Sequence, residues 1–136
     1  MSNNARQVVR ARMQVSTTST GPDLRDLSSL LSPAGINAVF GRVVLTEVSG
    51  PLSVQVVVQT YDGDPEVMNT AVAPTSGLNY AARTAVGKTQ IRFDPSAVGN
   101  GDITNKGGFR LGLNYWSGTA GTLARGEVIV ELWVNG

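Results

Sequence analysis

Apolar and polar side chains alternate, residue by residue, through six separate stretches of this chain, and a period of two is the signature of strands with one buried and one solvated face. That pattern commits the chain to β-structure. From Val8 to Thr18, Val9, Ala11, Met13 and Val15 take one face while Arg10, Arg12, Gln14 and Ser16 take the other. Ile36 to Val48 and Leu52 to Asp62 follow, joined through Ser49-Gly50-Pro51, a turn composition that reads as a hairpin. Within the latter run, Val57 interrupts the polar side and predicts that this side too meets another surface. Later, Thr89, Ile91 and Phe93 oppose Lys88, Gln90 and Arg92; Phe109, Leu111, Leu113 and Tyr115 oppose Arg110, Gly112, Asn114 and Trp116. Val128, Val130, Leu132 and Val134 oppose Glu127, Ile129, Glu131 and Trp133. Weaker strands over Val67 to Ala73 and Leu78 to Thr84 bring the expected number to eight.

One segment departs from the alternation. Between Gly21 and Pro33, Leu24, Leu27, Leu30 and Leu31 recur at helical spacing, Pro22 suits a first turn, and Asp23 and Asp26 complement a positive helix end. A short amphipathic helix is therefore expected between the first two strands. With long loops at 73–88 and 94–107, the elements suit a sandwich of two antiparallel sheets. The 136 residues are one domain's worth, with residues 1–7 expected as a short flexible arm and 8–136 as the folded unit.

Composition removes most chemistry. The chain has neither histidine nor cysteine, so a Ser-His-Asp triad, a Cys-His pair, an ordinary zinc site and a disulfide are all impossible. An enzyme built on it would depend on carboxylates, Lys, Tyr or Ser, and a non-enzymatic role is expected. Charged residues are 15% of the chain, below the ~25% of an average soluble domain, which argues against coiled coils and charged disordered tails. The net charge of +1 does not by itself point to nucleic acid or a membrane, but nine of eleven basic residues are Arg. Three of them, Arg6, Arg10 and Arg12, fall among the first twenty residues without an acid. No run approaches the ~20 apolar residues of a membrane span, and the first residues lack the apolar stretch of a secretory signal.

Five features could carry function. Tyr61-Asp62-Gly63-Asp64-Pro65-Glu66 gathers carboxylates on a turn, as calcium sites do, and Asp62 and Asp64 are the candidate ligands, against the plainer reading of a solvated turn. Glu127 and Glu131 share a strand face and would serve as a glycosidase pair only across a cleft. The glycines from Gly99 to Gly108 precede a strand, not a helix, so they are a loop and not a phosphate cradle. Trp116 and Trp133 lie on the non-core side of their strands, and Ile129 widens the apolar patch beside Trp133, which favours burial between chains over stacking on sugars. Arg10, Arg12, Lys88, Arg92 and Arg110 recur at polar strand positions and could meet phosphates; aromatic interleaving is not visible in the sequence, so that contact reads as electrostatic and sequence-tolerant.

Several stretches together resemble a family. Ala38-Val39-Phe40-Gly41-Arg42-Val43-Val44-Leu45-Thr46-Glu47-Val48-Ser49-Gly50-Pro51-Leu52, running on to Tyr61-Asp62-Gly63-Asp64, is similar to a long strand, small-residue turn and following strand of the single jelly-roll coat proteins of small icosahedral plant RNA viruses, satellite viruses included. Arg83 to Phe93 resembles the middle strand region of those coats, and Gly126 to Val134 their closing strand. More distantly, the shell domains of tombusvirus-like and sobemovirus-like coats look alike. The resemblance covers about 7–135, by pattern more than by motif.

It implies an eight-stranded jelly roll that assembles with copies of itself, about sixty or a multiple, into a virion shell. It also implies intersubunit contacts through the helix after the first strand and the loops, and calcium between subunits near Asp62 and Asp64. Beside it, the residue reading offers Arg6, Arg10, Arg12, Lys88 and Arg92 to RNA and Trp116, Ile129 and Trp133 to a neighbouring subunit. The family's long Arg-rich arm is represented here only by Arg6, Arg10 and Arg12. Two other readings stay open: a carbohydrate-binding jelly roll using Tyr115, Trp116 and Trp133, and a trimeric viral fibre or protruding domain.

Overall fold

The computed structural model describes residues 5–73, 82–95 and 106–136. They contain seven strands: β1 (Arg6–Thr17), β2 (Asp23–Asp26), β3 (Ala38–Ser49), β4 (Leu52–Tyr61), β5 (Gly87–Phe93), β6 (Gly108–Ser117) and β7 (Ala124–Asn135). One sheet has the order β1-β7-β3-β5 and the other β2-β6-β4, antiparallel throughout. Both sheets set strands from the start of the chain beside strands from its end, which is jelly-roll order. Val39, Val43, Leu45, Val128, Val130 and Leu132 of the first sheet face Leu52, Val54, Val58, Leu111 and Leu113 of the second, all buried in one core. The predicted alternation thus selects the inner faces, and from Gly126 onward β7 reads buried and half-buried in strict turn.

Three expectations are corrected. No helix occurs among the described residues: the segment after Pro22 forms β2, pairing Asp23 with Tyr115 through Asp26 with Gly112, and then follows β6. The Leu27 and Ser28 amides both donate to the Leu111 carbonyl, and Leu31 exchanges two backbone bonds with Phe109, at 2.7 and 2.9 Å. Two prolines leave room for only a marginal helix, and Asp and Ser favour caps and turns, whereas the open edge of β6 presents backbone groups that need partners. Leu27 and Leu31 still reach the core, and Leu24 and Leu30 stay exposed, so the helical spacing was coincidental with an edge strand.

The hairpin is also replaced. β3 and β4 belong to different sheets, and Ser49-Gly50-Pro51 carries the chain across the sandwich. Gly50 sits at φ 79°, and a Cβ there would run into the Leu123 carbonyl oxygen, so the crossing is as tight as a hairpin turn would be. Both edges of β3 are taken, by β7 and β5, which forces β4 to the opposite layer.

Third, the described residues hold seven strands and not eight. The eighth jelly-roll place, along β4, is met at two isolated points, Val58 with Val72 and Val54 with Arg83. Between those points the chain advances 11 residues while β4 advances 4. Of the weaker strands expected there, residues 78–81 lie outside the described residues, as do half of the expected loop at 73–88 and most of that at 94–107, with the glycines from Gly99 to Gly101. Arg6 and Gln7, expected in an arm, pair with Val134 and Trp133.

Arg83 anchors this region. Its guanidinium donates to the carbonyls of Ala85 (2.8 Å), Val86 (3.0 Å) and Lys88 (3.1 Å) and to Thr89 Oγ1 (3.0 Å), wrapping the entry to β5. Lysine cannot reproduce that fork. Arg83→Lys is expected to cost about 1–3 kcal/mol in urea denaturation and to speed proteolysis at 85–88; an unchanged cleavage rate would remove the anchoring role.

Candidate functional site

Strand register places residues from all four strands of the larger sheet in rows on its outward side. Gln7, Trp133, Phe40 and Arg92 form one row; Arg10, Glu131, Arg42 and Gln90 the next; Arg12, Ile129, Val44 and Lys88 the third. Neighbouring strands lie ~4.8 Å apart, so each row is a continuous strip about 14 Å across. The Phe40 and Trp133 rings stack, with centroids 6.1 Å apart and planes 15° from parallel. Val44 and Ile129 repeat the apolar pairing one row beyond the charged one.

The carboxylates at the centre are engaged within the sheet. Arg42 grips Glu131 Oε1 through Nε (3.0 Å) and Nη2 (2.8 Å). Glu127 accepts from Thr46 Oγ1 (2.9 Å) and from Gln14 Nε2 (3.4 Å), with Arg12 3.7 Å away. The Arg10, Lys88 and Arg92 side chains, on the two outer strands, have no hydrogen-bond or ion-pair partner among the described residues. A groove of about 360 Å³ runs along Phe40, Arg42, Lys88, Gln90, Arg92 and Trp133. A second, of about 450 Å³, is bounded by Arg10, Arg12, Ile129 and Glu131.

Charge is divided unequally between the sheets. Strands of the four-stranded sheet hold seven basic residues and three acids; those of the three-stranded sheet hold two of each. A net charge near zero for the whole chain therefore conceals a cationic face. Six residues singled out in the sequence, Arg10, Arg12, Lys88, Arg92, Ile129 and Trp133, meet on this face. Phe40 and Val44 were missed; their signal was an apolar pair on the polar parity of β3, opposite Val39, Val43 and Leu45.

The other candidates are dispersed. Arg6 stands at the rim, opposite Val134. Arg110 is on the outward side of the other sheet, bound to Gln59 Oε1 (3.0 Å) and Asp26 (3.3 Å). Trp116 lies on that same side, opposite Ser53, whereas Tyr115 turns inward against the core. The three aromatic residues of the carbohydrate reading thus sit on three surfaces. Val57, as its position predicted, is 1% exposed although it lies outside the main core.

Among the described residues, Asp62 and Asp64 are engaged by other partners and do not gather into a calcium site. Lys106 Nζ occupies Asp62 Oδ1 at 2.9 Å, Asp64 Oδ1 accepts the Glu66 amide at 3.0 Å, and no cluster of three or more carboxylates occurs among the described residues. Calcium takes 6–8 oxygens, roughly, and a resident ammonium opposes it. The hydrogen bond from Lys106, then its charge, hold the Asp62 carboxyl below its ordinary value. In Lys106→Met the Asp62 midpoint is expected to rise toward the ordinary aspartate value, read from carboxyl carbon shifts by NMR; an unmoved midpoint would mean that the pair does not form in solution.

No protein-family model matches the chain, and no curated protein matches it in sequence. Solved structures do match. The structure of infectious bursal disease virus Gt strain aligns with 98% of this chain at a TM-score of 0.59 and 16% identity, covering 33% of that chain. The infectious bursal disease virus VP2 subviral particle aligns with 98% at 0.57 and 16%, covering 33%. T=1 particles derived from infectious bursal virus align with 98% at 0.55 and 14%, covering 31%. The chain shares its fold with viral coat proteins. It spans about a third of the length of those chains.

Proposed function

We propose that this chain is a structural, non-enzymatic coat subunit that assembles with copies of itself into the icosahedral shell of a virion. The observation that carries this reading is the likeness of nearly the whole chain to coat proteins recorded in subviral and T=1 particles. Closed symmetry sets the number of copies at about sixty or a multiple. Individual contacts need only be modest, because each subunit makes several at once and closure multiplies them. Trp116, half-buried on the three-stranded sheet, is the apolar contact this reading gives to a neighbouring copy. The finer assignment, to plant satellite-type RNA viruses, rests on the sequence resemblance, with Arg6, Arg10, Arg12, Lys88 and Arg92 meeting enclosed RNA.

Native mass and electron microscopy of the purified chain test this. Uniform closed particles are expected; a lone subunit across the whole range of salt, pH and concentration would overturn the coat reading.

A further inference from the structure

We infer that the outward face of the four-stranded sheet is a stacking platform for single-stranded nucleic acid, with bases on the Phe40–Trp133 pair and phosphates on the cations of β5 and β1. This rests on the RNA-enclosing part of the proposed function and adds to it a seat and a mode of binding. From sequence the contact reads as purely electrostatic. Folding changes that, because Phe40 from β3 is brought against Trp133 from β7 and in line with Arg92 of β5.

Two chemistries meet in this strip. Parallel, partly exposed rings suit any flat base, and stacking of this kind tolerates every sequence. Around the rings, Arg92 and Lys88 on one flank and Arg10 on the other are cations without partners among the described residues, so they are available to a polyanion. Arg42 is committed to Glu131, which leaves the groove beside the rings edged by Lys88 and Arg92.

A second copy of the chain is the rival occupant, since Trp133 and Ile129 first read as a subunit contact. Charge decides against it. The same face of a second copy would set these unpaired cations against one another, and among the described residues the strands of the opposite sheet present no unpaired carboxylate on their outward side. There, Asp26 is already paired with Arg110, and nearby Asp62 with Lys106. A strand carrying both bases and phosphates complements both halves of the surface.

The test measures binding of a short fluorescent oligouridylate to the purified chain, with inorganic polyphosphate and heparin as anionic probes that carry no bases. Trp133→Leu and Phe40→Leu are each expected to weaken oligouridylate binding about tenfold and to leave polyphosphate binding unchanged. Arg92→Gln should weaken both probes and lower the salt slope by about one. Circular dichroism of each variant confirms folding, and Trp133→Phe, which keeps a ring, should restore most of the binding. Equal loss on both probes, no loss with either leucine variant, or heparin bound more tightly than oligouridylate would overturn the platform. Particle formation is scored in parallel: shells that form without ring-dependent binding sink the platform alone, and ring-dependent binding by a chain that never closes into shells sinks the coat reading alone.

Discussion

Phe109→Ala is expected to lower the free energy of unfolding by about 3–5 kcal/mol, a large fraction of the roughly 5–15 kcal/mol that holds a domain of this kind together. Phe109 is 0% exposed and belongs to the core between the sheets. Its backbone also receives Leu31 from the segment that follows β2, through two hydrogen bonds. Truncation removes ring contacts on the core side and loosens the strand position that pins that segment. Urea denaturation gives the measurement. A loss under about 1 kcal/mol with an unchanged slope would mean that the two sheets do not close over this ring.

Gly41→Val should be more severe, leaving protein that does not accumulate in soluble, folded form. Gly41 lies mid-way along β3 at φ 153°, and a built Cβ would collide with the Glu131 carbonyl oxygen and approach Leu132 Cα. Those obstacles are backbone atoms of β7, which is held on its far side by β1 and cannot step back. The smaller change Gly41→Ala keeps the idea open to refutation, because it is expected to fold and to cost at least about 3 kcal/mol. If Gly41→Ala melts with the parent protein, the close approach of β3 to β7 is wrong.

Strand content and facing were legible in the chain because side-chain direction alternates along any strand, whatever it pairs with. The residues expected to face inward on β1, β4, β6 and β7 do so, and Val57 announced its burial by breaking the polar parity. Pairing was not legible. Ser49-Gly50-Pro51 serves equally for a hairpin and for a crossing between layers, since both need a tight turn between two half-buried strands. The leucines from Leu24 to Leu31 misled for a related reason. Apolar spacing in so short a segment fits a helix face or an irregular edge strand, and the unpaired side of β6 settled which.

The candidate site shows the same division. Arg10, Arg12, Lys88, Arg92, Ile129 and Trp133 were each recognisable as outward residues, because parity is a local property. Nothing local told Trp133 from Trp116, yet the first stacks on Phe40 among cations and the second stands on the opposite layer. Nor could a net charge of +1 reveal that seven basic residues share one sheet. Which face a side chain takes follows from its place in the strand; which other side chains it finds there depends on sheet order. That order is an agreement among residues up to the whole length of the chain apart, reached when β1 and β7 close side by side.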